Sequence, residues 1–306
     1  MSEKIGVIGS GLMGHGIAQI FAAAGHHVNV IDPSQDSLSS VPRRIKRNLQ
    51  MMIESGVNFD DDIEPIVNRI SLSTEMPVCV DCDYVIEAVF EDMLLKQKIF
   101  AELDQICPPH TILCSNTSVM SITEIASQSQ NRSRIVGTHF WNPPYLMPLV
   151  EVVKAEDSDE KAVDDTIELL NRVGKHPVKV NKDVPGFVAN RLQHALWREA
   201  FAIIDEGIAD AATVDECVRF GPGLRWPILG PVENADMVGL DLTKAIHDYI
   251  LPHINASSTP SSTLLSRVSS GNLGFKTGKG FQKWSEEEMV NSRDRLAAYL
   301  LEQIVK

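Results

Sequence analysis

Short apolar runs alternate with longer stretches whose apolar residues recur every three or four positions, and this alternation fills roughly the first 180 residues. The runs that read as strands are Lys4–Ile8, His27–Ile31, Arg69–Ser71, Tyr84–Glu87, Thr111–Ser115 and Ile135–His139, with Val150–Val153 and Val178–Val180 after them. Between them, Asp92–Ile106 places Leu94, Leu95, Ile99 and Leu103 at helical spacing. Residues 34–55 predict a further helix, in which Pro42 imposes a kink or a later start. This order predicts a doubly wound parallel sheet covered by helices over residues 1–183. Lys182-Asp183-Val184-Pro185-Gly186 is the punctuation, and the strand pattern ends there. Phe187–Glu206 is one long apolar-periodic stretch closed by Gly207; Thr213–Arg219, Asn234–Ile250 and Glu286–Ile304 also read as helices. Gly221-Pro222-Gly223 and Gly230-Pro231 break the chain between them, and Asn255–Ser262 reads as a loop. Residues 184–306 are therefore expected to form a smaller, all-α domain. Its first helix is too apolar to stand alone in water, so it belongs at the centre of that domain or in a dimer interface.

The first strand runs directly into Gly9-Ser10-Gly11-Leu12-Met13-Gly14 and then into the helical stretch Ile17–Ala24. In a strand–turn–helix of this kind Gly9 permits the tight turn and Gly11 lets a pyrophosphate approach the backbone. Gly14 lets the helix pack closely on the strand. The helix start, with Leu12 and Met13, offers unpaired N–H groups and a positive dipole end. The second strand ends in Asp32, where an acidic side chain accepts from the ribose hydroxyls, and Pro33-Ser34 places no arginine there for a 2′-phosphate. The first domain thus reads as a Rossmann-type binder of NAD(H) rather than NADP(H).

Composition narrows the remaining classes. The chain is 43% hydrophobic and 23% charged, as soluble globular proteins are. A net charge of −13 argues against a nucleic-acid or anionic-membrane partner, though not against a local basic patch. The first strand begins almost at once, leaving no room for a signal or transit peptide, and nothing approaches eighteen consecutive apolar residues. A cytoplasmic protein is expected. Its five cysteines suit a reducing compartment. Cys79-Val80-Asp81-Cys82 has metal or redox spacing but no second pair nearby, so small buried thiols are the plainer reading and no metal site is expected.

A nucleotide domain does not name a reaction; the chemistry is sought at the carboxyl ends of the later strands. Ser115-Asn116-Thr117-Ser118, His139-Phe140-Trp141-Asn142-Pro143 and Glu151 stand there. Hydride transfer from a secondary alcohol needs a base for the hydroxyl proton and a donor to hold the oxygen. Histidine suits the first task because its ordinary pKa is near neutral. His139 closes a strand, and Glu151, twelve residues later, leaves enough chain for a loop out and back. A carboxylate behind the imidazole fixes its tautomer and stabilises the imidazolium. Ser118 and Asn190 are short polar groups able to bond the reacting oxygen or a neighbouring carbonyl. Taken singly, each has a plain structural alternative: a satisfied strand-end histidine, a solvated strand glutamate, a polar helix position.

In combination and in order these segments resemble the L-3-hydroxyacyl-CoA dehydrogenase family over essentially the whole chain. The resemblance rests on residues 9–14, Asp83–Ala88, Ser115–Ser118, His139–Pro143, Pro148–Val152, Gly174–Pro177, Asp183–Arg191 and Lys276–Phe281. It implies that His139 is the general base and Glu151 its partner, with Ser118 and Asn190 touching the substrate. It also implies that Glu91, Lys96, Asn142 and Lys276 join Asp32 and the glycines in contacting NAD. A homodimer through the helical domain follows from the same resemblance.

The resemblance frays at the substrate. Members acting on CoA thioesters carry a lysine-rich stretch after the helix that follows Asp32, where cations meet the CoA phosphates. Here residues 54–62, ESGVNFDDD, hold no cation and several acids. Arg43, Arg44, Lys46 and Arg47 upstream either compensate or form a solvated helix face. Trp141 and Pro148 stand where CoA-type members usually have Phe and Lys, and residues 142–151 resemble the λ-crystallin/L-gulonate dehydrogenase branch. Gly223-Leu224-Arg225-Trp226 is similar to that branch and to the carnitine dehydrogenases. Arg225 beside an aromatic residue is suited to clamping a small carboxylate, with helix capping or an interdomain ion pair as the alternative. The Lys276–Phe281 motif is closer to the acyl-CoA enzymes. The expectation is an NAD-dependent dehydrogenase interconverting an L-3-hydroxy and a 3-oxo group. It leans to a short carboxylate-bearing acid, with Trp141 and Arg225 as further substrate residues. The alternatives are a 3-hydroxybutyryl-CoA dehydrogenase, a lysine-based β-hydroxyacid dehydrogenase, and a crystallin-like or NAD-sensing protein without turnover.

Overall fold

The computed structural model describes residues 2–305. Residues 2–190 together with 295–305 form one compact unit and residues 191–294 a second. The first unit is built on β1 (Lys4–Ile8), β2 (His27–Ile31), β3 (Ile70–Ser73), β4 (Tyr84–Glu87), β5 (Ile112–Ser115), β6 (Ile135–Phe140), β7 (Leu149–Lys154) and β8 (His176–Val180). They form one sheet in the order β3-β2-β1-β4-β5-β6-β7-β8. The order reverses between β1 and β4, which is where ligands of open α/β sheets lodge. The central strands β1, β4 and β5 are buried almost throughout, hence their unbroken apolar character.

The sheet is not wholly parallel. β7 pairs with β6 antiparallel, and β8 then runs parallel to β7. A hairpin connection therefore replaces the expected crossover at this point, and in its register His139 stands directly opposite Glu151.

The helices of this unit are α1 (Leu12–Ala23), α2 (Gln35–Glu54), α3 (Ile63–Asn68), α4 (Met93–Ile106), α5 (Ile122–Ile125) and α6 (Glu160–Arg172). Ser34 caps α2 by accepting from Ser37 N at 3.2 Å, and the helix runs on through Pro42. Leu38, Val41, Ile45, Leu49 and Met52 form the buried face of α2, three or four residues apart. Asp92 caps α4 in the same way, accepting from Leu95 N at 2.9 Å.

α7 (Ala189–Asp205) begins in the first unit and continues into the second, followed by α8 (Ala211–Phe220), α9 (Pro231–Val238), α10 (Leu240–Ile250) and α11 (Ser262–Ser269). α12 (Glu286–Val305) ends the described chain. The single helix expected over Asn234–Ile250 is two, because Gly239 takes a φ of +103° that only glycine adopts freely. Within residues 191–294 only Ala202 and Val214 are buried apolar residues. No described helix is long and apolar enough to cross a membrane.

Candidate active site

The glycine turn after β1 is shaped by close approach. Gly9 has a φ of +100°, and a Cβ there would lie 2.7 Å from Ala88 O. A Cβ on Gly14 would fall 1.8 Å from Gly9 O, so the turn and the first coil of α1 touch backbone to backbone. Gly11 is different: a Cβ built there meets nothing within 4 Å. This leaves open space beside the N-terminus of α1, where no side chain caps the N–H groups contributed by Leu12 and Met13. Open backbone donors at a helix start facing free volume fit a dinucleotide pyrophosphate.

Asp32 flanks the turn. One carboxylate oxygen accepts from Ser10 N and Ser10 Oγ at 2.9 and 2.8 Å, and the other from Ser34 N at 2.9 Å. Arg44, on α2, donates to the carbonyls of Ser10 and Gly11 at 2.8 and 2.9 Å, so it is engaged with the turn rather than projecting from a solvated face.

Beyond β4 and β5 lies a buried acid–base network. Glu87, fully buried, accepts from Lys96 Nζ at 2.6 Å, Val89 N at 2.7 Å and Ser115 Oγ at 2.7 Å. Glu91 accepts from Thr117 Oγ1 at 2.8 Å and Ser118 N at 2.7 Å, with the Lys96 amine 3.4 Å away. Lys96 is only 1% exposed, so its amine braces the loops after β4 and β5 from beneath. Glu87 and Ser115 lie in segments the sequence marks, Asp83–Ala88 and Ser115–Ser118, but neither has a role of its own there, because both read as the last residue of a strand.

His139 and Glu151 meet across the antiparallel pair, Nδ1 to Oε2 at 2.8 Å. Both are buried. The other Glu151 oxygen accepts from Val188 N and Ala189 N at 2.9 and 3.0 Å. Burial alone would raise the Glu151 carboxyl, but the hydrogen bonds from His139, Ala189 and Val188 outweigh it and hold the group below the usual carboxylate range. With Nδ1 donating to a carboxylate, the neutral imidazole keeps its lone pair on Nε2, the atom a general base uses. Trp141 and Phe187 close around the ring, with centroids 5.5 and 5.8 Å away. Phe187 holds a φ of +48°, a strained value for an aromatic residue, directly before the two N–H groups that bind Glu151. Only the Pro185-Gly186 pair before it hinted at this turn.

Asn190 donates its amide to Ser118 O at 2.9 Å, so these two polar residues stand together. Asn142 is the second residue of the loop after β6 and is exposed. Arg225 and Lys276 belong to the second unit. Arg225 is exposed and forms no ion pair among the described residues, and Lys276 lines a cavity of about 570 Å³ with Trp197, Phe281 and Trp284. Cys79 and Cys82 are completely buried.

The dinucleotide turn at the switch point of the sheet, taken with the match to a family NAD-binding domain, makes this an NAD-dependent oxidoreductase acting on CH–OH groups. The chain belongs to the 3-hydroxyacyl-CoA dehydrogenase family: the NAD-binding domain model matches residues 4–184 and the C-terminal domain model residues 186–284. It is 38% identical over 286 residues to a probable 3-hydroxybutyryl-CoA dehydrogenase of Bacillus subtilis, covering 93% of this chain and 98% of that protein. Among solved structures it is similar to 5-formyl-3-hydroxy-2-methylpyridine 4-carboxylic acid 5-dehydrogenase, an NAD+-dependent dismutase. That likeness has a TM-score of 0.91 at 28% identity and covers 98% of this chain and 97% of that one. The (S)-3-hydroxybutyryl-CoA dehydrogenase of Ralstonia eutropha gives a TM-score of 0.79 at 33% identity, covering 94% of this chain and all of that one.

Proposed function

We propose that this dehydrogenase interconverts an L-3-hydroxy and a 3-oxo group, with His139 as general base and Glu151 as its partner, on a short substrate carrying its own carboxylate. The observation that supports the catalytic pair is the 2.8 Å contact between two buried side chains, one of which is held ionised by two further backbone donors. NAD, when bound, takes up the hydride. His139 Nε2 takes the hydroxyl proton, Glu151 stabilises the imidazolium, and in the reverse direction the imidazolium returns the proton to the carbonyl oxygen. In oxidation the alcohol loses a proton and a hydride and becomes the ketone; in reduction the ketone gains both and becomes the alcohol. Ser118 and Asn190 orient the reacting oxygen, while Asp32, Glu91, Lys96, Asn142 and Lys276 serve the cofactor directly or by bracing its loops.

Four observations bear on the small carboxylate. Glu54, Asp60 and Asp62 are exposed and acidic in the segment where a CoA phosphate would need cations. Of the upstream cations, Arg44 and Lys46 are committed to the glycine turn and to Glu64, whereas Arg43 and Arg47 are exposed and form no ion pair among the described residues. The guanidinium of Arg225 is left without an ionic partner among the described residues, which suits an anchor for carboxylate. The pyridine carboxylic acid dehydrogenase is a structural relative with a substrate of that kind in its name. The second reading, a 3-hydroxybutyryl-CoA dehydrogenase, is favoured by the names of the Bacillus and Ralstonia relatives.

The helical residues 184–306 are proposed to serve substrate binding and homodimerisation. Phe220, Ile228, Val232, Leu240 and Tyr249 are all more than three-fifths exposed. A 104-residue unit, counted from 191 to 294, that buries only two apolar side chains is unsupported as a free monomer. Five cysteines, none in a disulfide, support a cytoplasmic setting.

The test follows NADH absorbance with L-3-hydroxybutyryl-CoA, acetoacetyl-CoA, free 3-hydroxybutyrate, L-gulonate and L-carnitine. Turnover of a free acid that is lost in Arg225→Ala with NADH binding intact supports the carboxylate reading. Efficient turnover of the CoA thioesters alone overturns it in favour of the second.

A further inference from the structure

Lys175 follows Gly174 in the turn between α6 and β8, and nothing in the chemistry above uses it. Its amine points inward and donates to Pro144 O at 2.5 Å and Met147 O at 3.0 Å. Both acceptors lie in the loop between β6 and β7, which starts two residues after His139 with Trp141, the ring against the imidazole. The same loop is held elsewhere. Pro144 rests on α1 so tightly that a Cβ on Gly16 would lie 2.5 Å from its Cγ, and His176 N donates to Pro148 O at 2.9 Å. Leu146 is buried with Met52 and Leu301.

We propose that Lys175 is a positioning residue for proton transfer at His139, its ammonium stapling the 141–148 loop so that Trp141 keeps its place beside the imidazole. The inference rests on the His139 reading above. The amine forms no ion pair among the described residues and lines a cavity of about 420 Å³ with Gln19, Phe59 and Tyr145. Burying an ammonium without a counter-ion is costly, and a neutral residue would avoid that cost. What the charge provides is two charge-assisted hydrogen bonds to one loop, roughly twice as strong as neutral ones. Burial pushes the amine down to about 8.

The titratable groups around it are Tyr145 on the loop, Asp60 after α2 and His176 at the start of β8. Arg44 and Arg47 approach Tyr145 from α2, and burial nonetheless raises the tyrosine hydroxyl, away from this range. Lys175 thus carries a distinctive sign. Between about pH 8 and about 10.4 the native amine has lost its proton while the unfolded one keeps it, so its contribution to stability rises with pH. The grip on the loop weakens over the same range. A merely structural lysine would move activity and stability together; this one moves them apart.

The experiment compares wild type, Lys175→Met and Lys175→Arg in the hydroxyl-oxidising direction from pH 6.5 to 10, on whichever panel substrate is turned over. Lys175→Met is expected to lower kcat about tenfold, since small misplacement at a reacting centre has large effects. KM and NADH affinity should stay within about twofold, and the fall in kcat across pH 8 should disappear. Lys175→Arg should restore most of kcat. A Met variant with wild-type kcat and the same alkaline fall overturns the proposal. If that variant does not fold, wild type decides: Tm rising while kcat falls across pH 8 supports the staple, and kcat level through pH 9.5 overturns it. If no substrate is turned over, the dehydrogenase reading fails by itself. Lys175 is then judged by amide exchange of residues 141–149 between pH 7 and 9, corrected for intrinsic rates, where unchanged protection overturns it.

Discussion

Glu151→Gln isolates the charge of the catalytic pair while keeping its shape. The glutamine oxygen can still accept from Val188 N and Ala189 N, so the backbone side of the interaction survives. The amide then turns its N–H₂ toward His139 Nδ1, 2.8 Å away in the parent. A donor there forces the neutral ring to carry its proton on Nε2, where a base needs a lone pair. The imidazolium loses its counter-charge as well. With charge centres about 4 Å apart and an effective dielectric of about 20, that attraction is on the order of 4 kcal/mol, or about three decades in rate. The expected result is a fall in kcat of roughly 10³-fold in NADH absorbance assays at saturating substrate, with NADH affinity within about twofold and the circular dichroism spectrum unchanged. A folded Glu151→Gln enzyme retaining kcat within tenfold of the parent would refute the pairing of charge and base argued here.

Gly14→Ala is expected to destabilise the chain by roughly 1–3 kcal/mol and to abolish NADH binding, because the new methyl has no room beside Gly9 O; thermal melting and NADH fluorescence titration measure both. Asp32→Ala should weaken NADH binding about tenfold and narrow its preference over NADPH, read as the ratio of the two Kd values; an unchanged ratio would detach Asp32 from ribose recognition. Because Glu151 is held below the ordinary carboxylate range, the native state binds fewer protons than the unfolded one on the acid side. The stability it contributes should be complete above about pH 4.3 and fade as pH falls below that, a slope that urea unfolding of Glu151→Gln should lack.

Much of this was visible in the chain itself. Strands buried on both faces read as unbroken apolar runs, so β1 and β4 are bounded correctly from their hydrophobicity; β2 is bounded from Val28, Val30 and Ile31 although His27 is exposed and Asn29 half-buried. Direction was not visible: the antiparallel course of β7 leaves no mark in its apolar pattern, although the twelve residues from His139 to Glu151 suit a hairpin. α11 was hidden because its serines and threonine resemble a loop, and it forms around a cap, Ser261 accepting from Leu264 N at 3.1 Å. α6 is hard to read because the intervening charges mask its buried stripe of Ala162, Val163, Thr166, Leu169 and Leu170, one of them polar. In the site, spacing and resemblance singled out His139, Glu151, Ser118 and Asn190. The Glu87–Lys96–Ser115 brace joins residues up to 28 positions apart, a proximity that only the sheet creates.

The carboxylate beside His139 also fastens Val188 and Ala189, where the chain leaves the sheet and α7 starts. One group thus serves the chemistry and the joint of the polypeptide. Neutralising it should loosen the Lys182–Val188 connection, so the rate at which a protease nicks that stretch becomes a gauge of the ionisation of the catalytic pair, readable without any substrate.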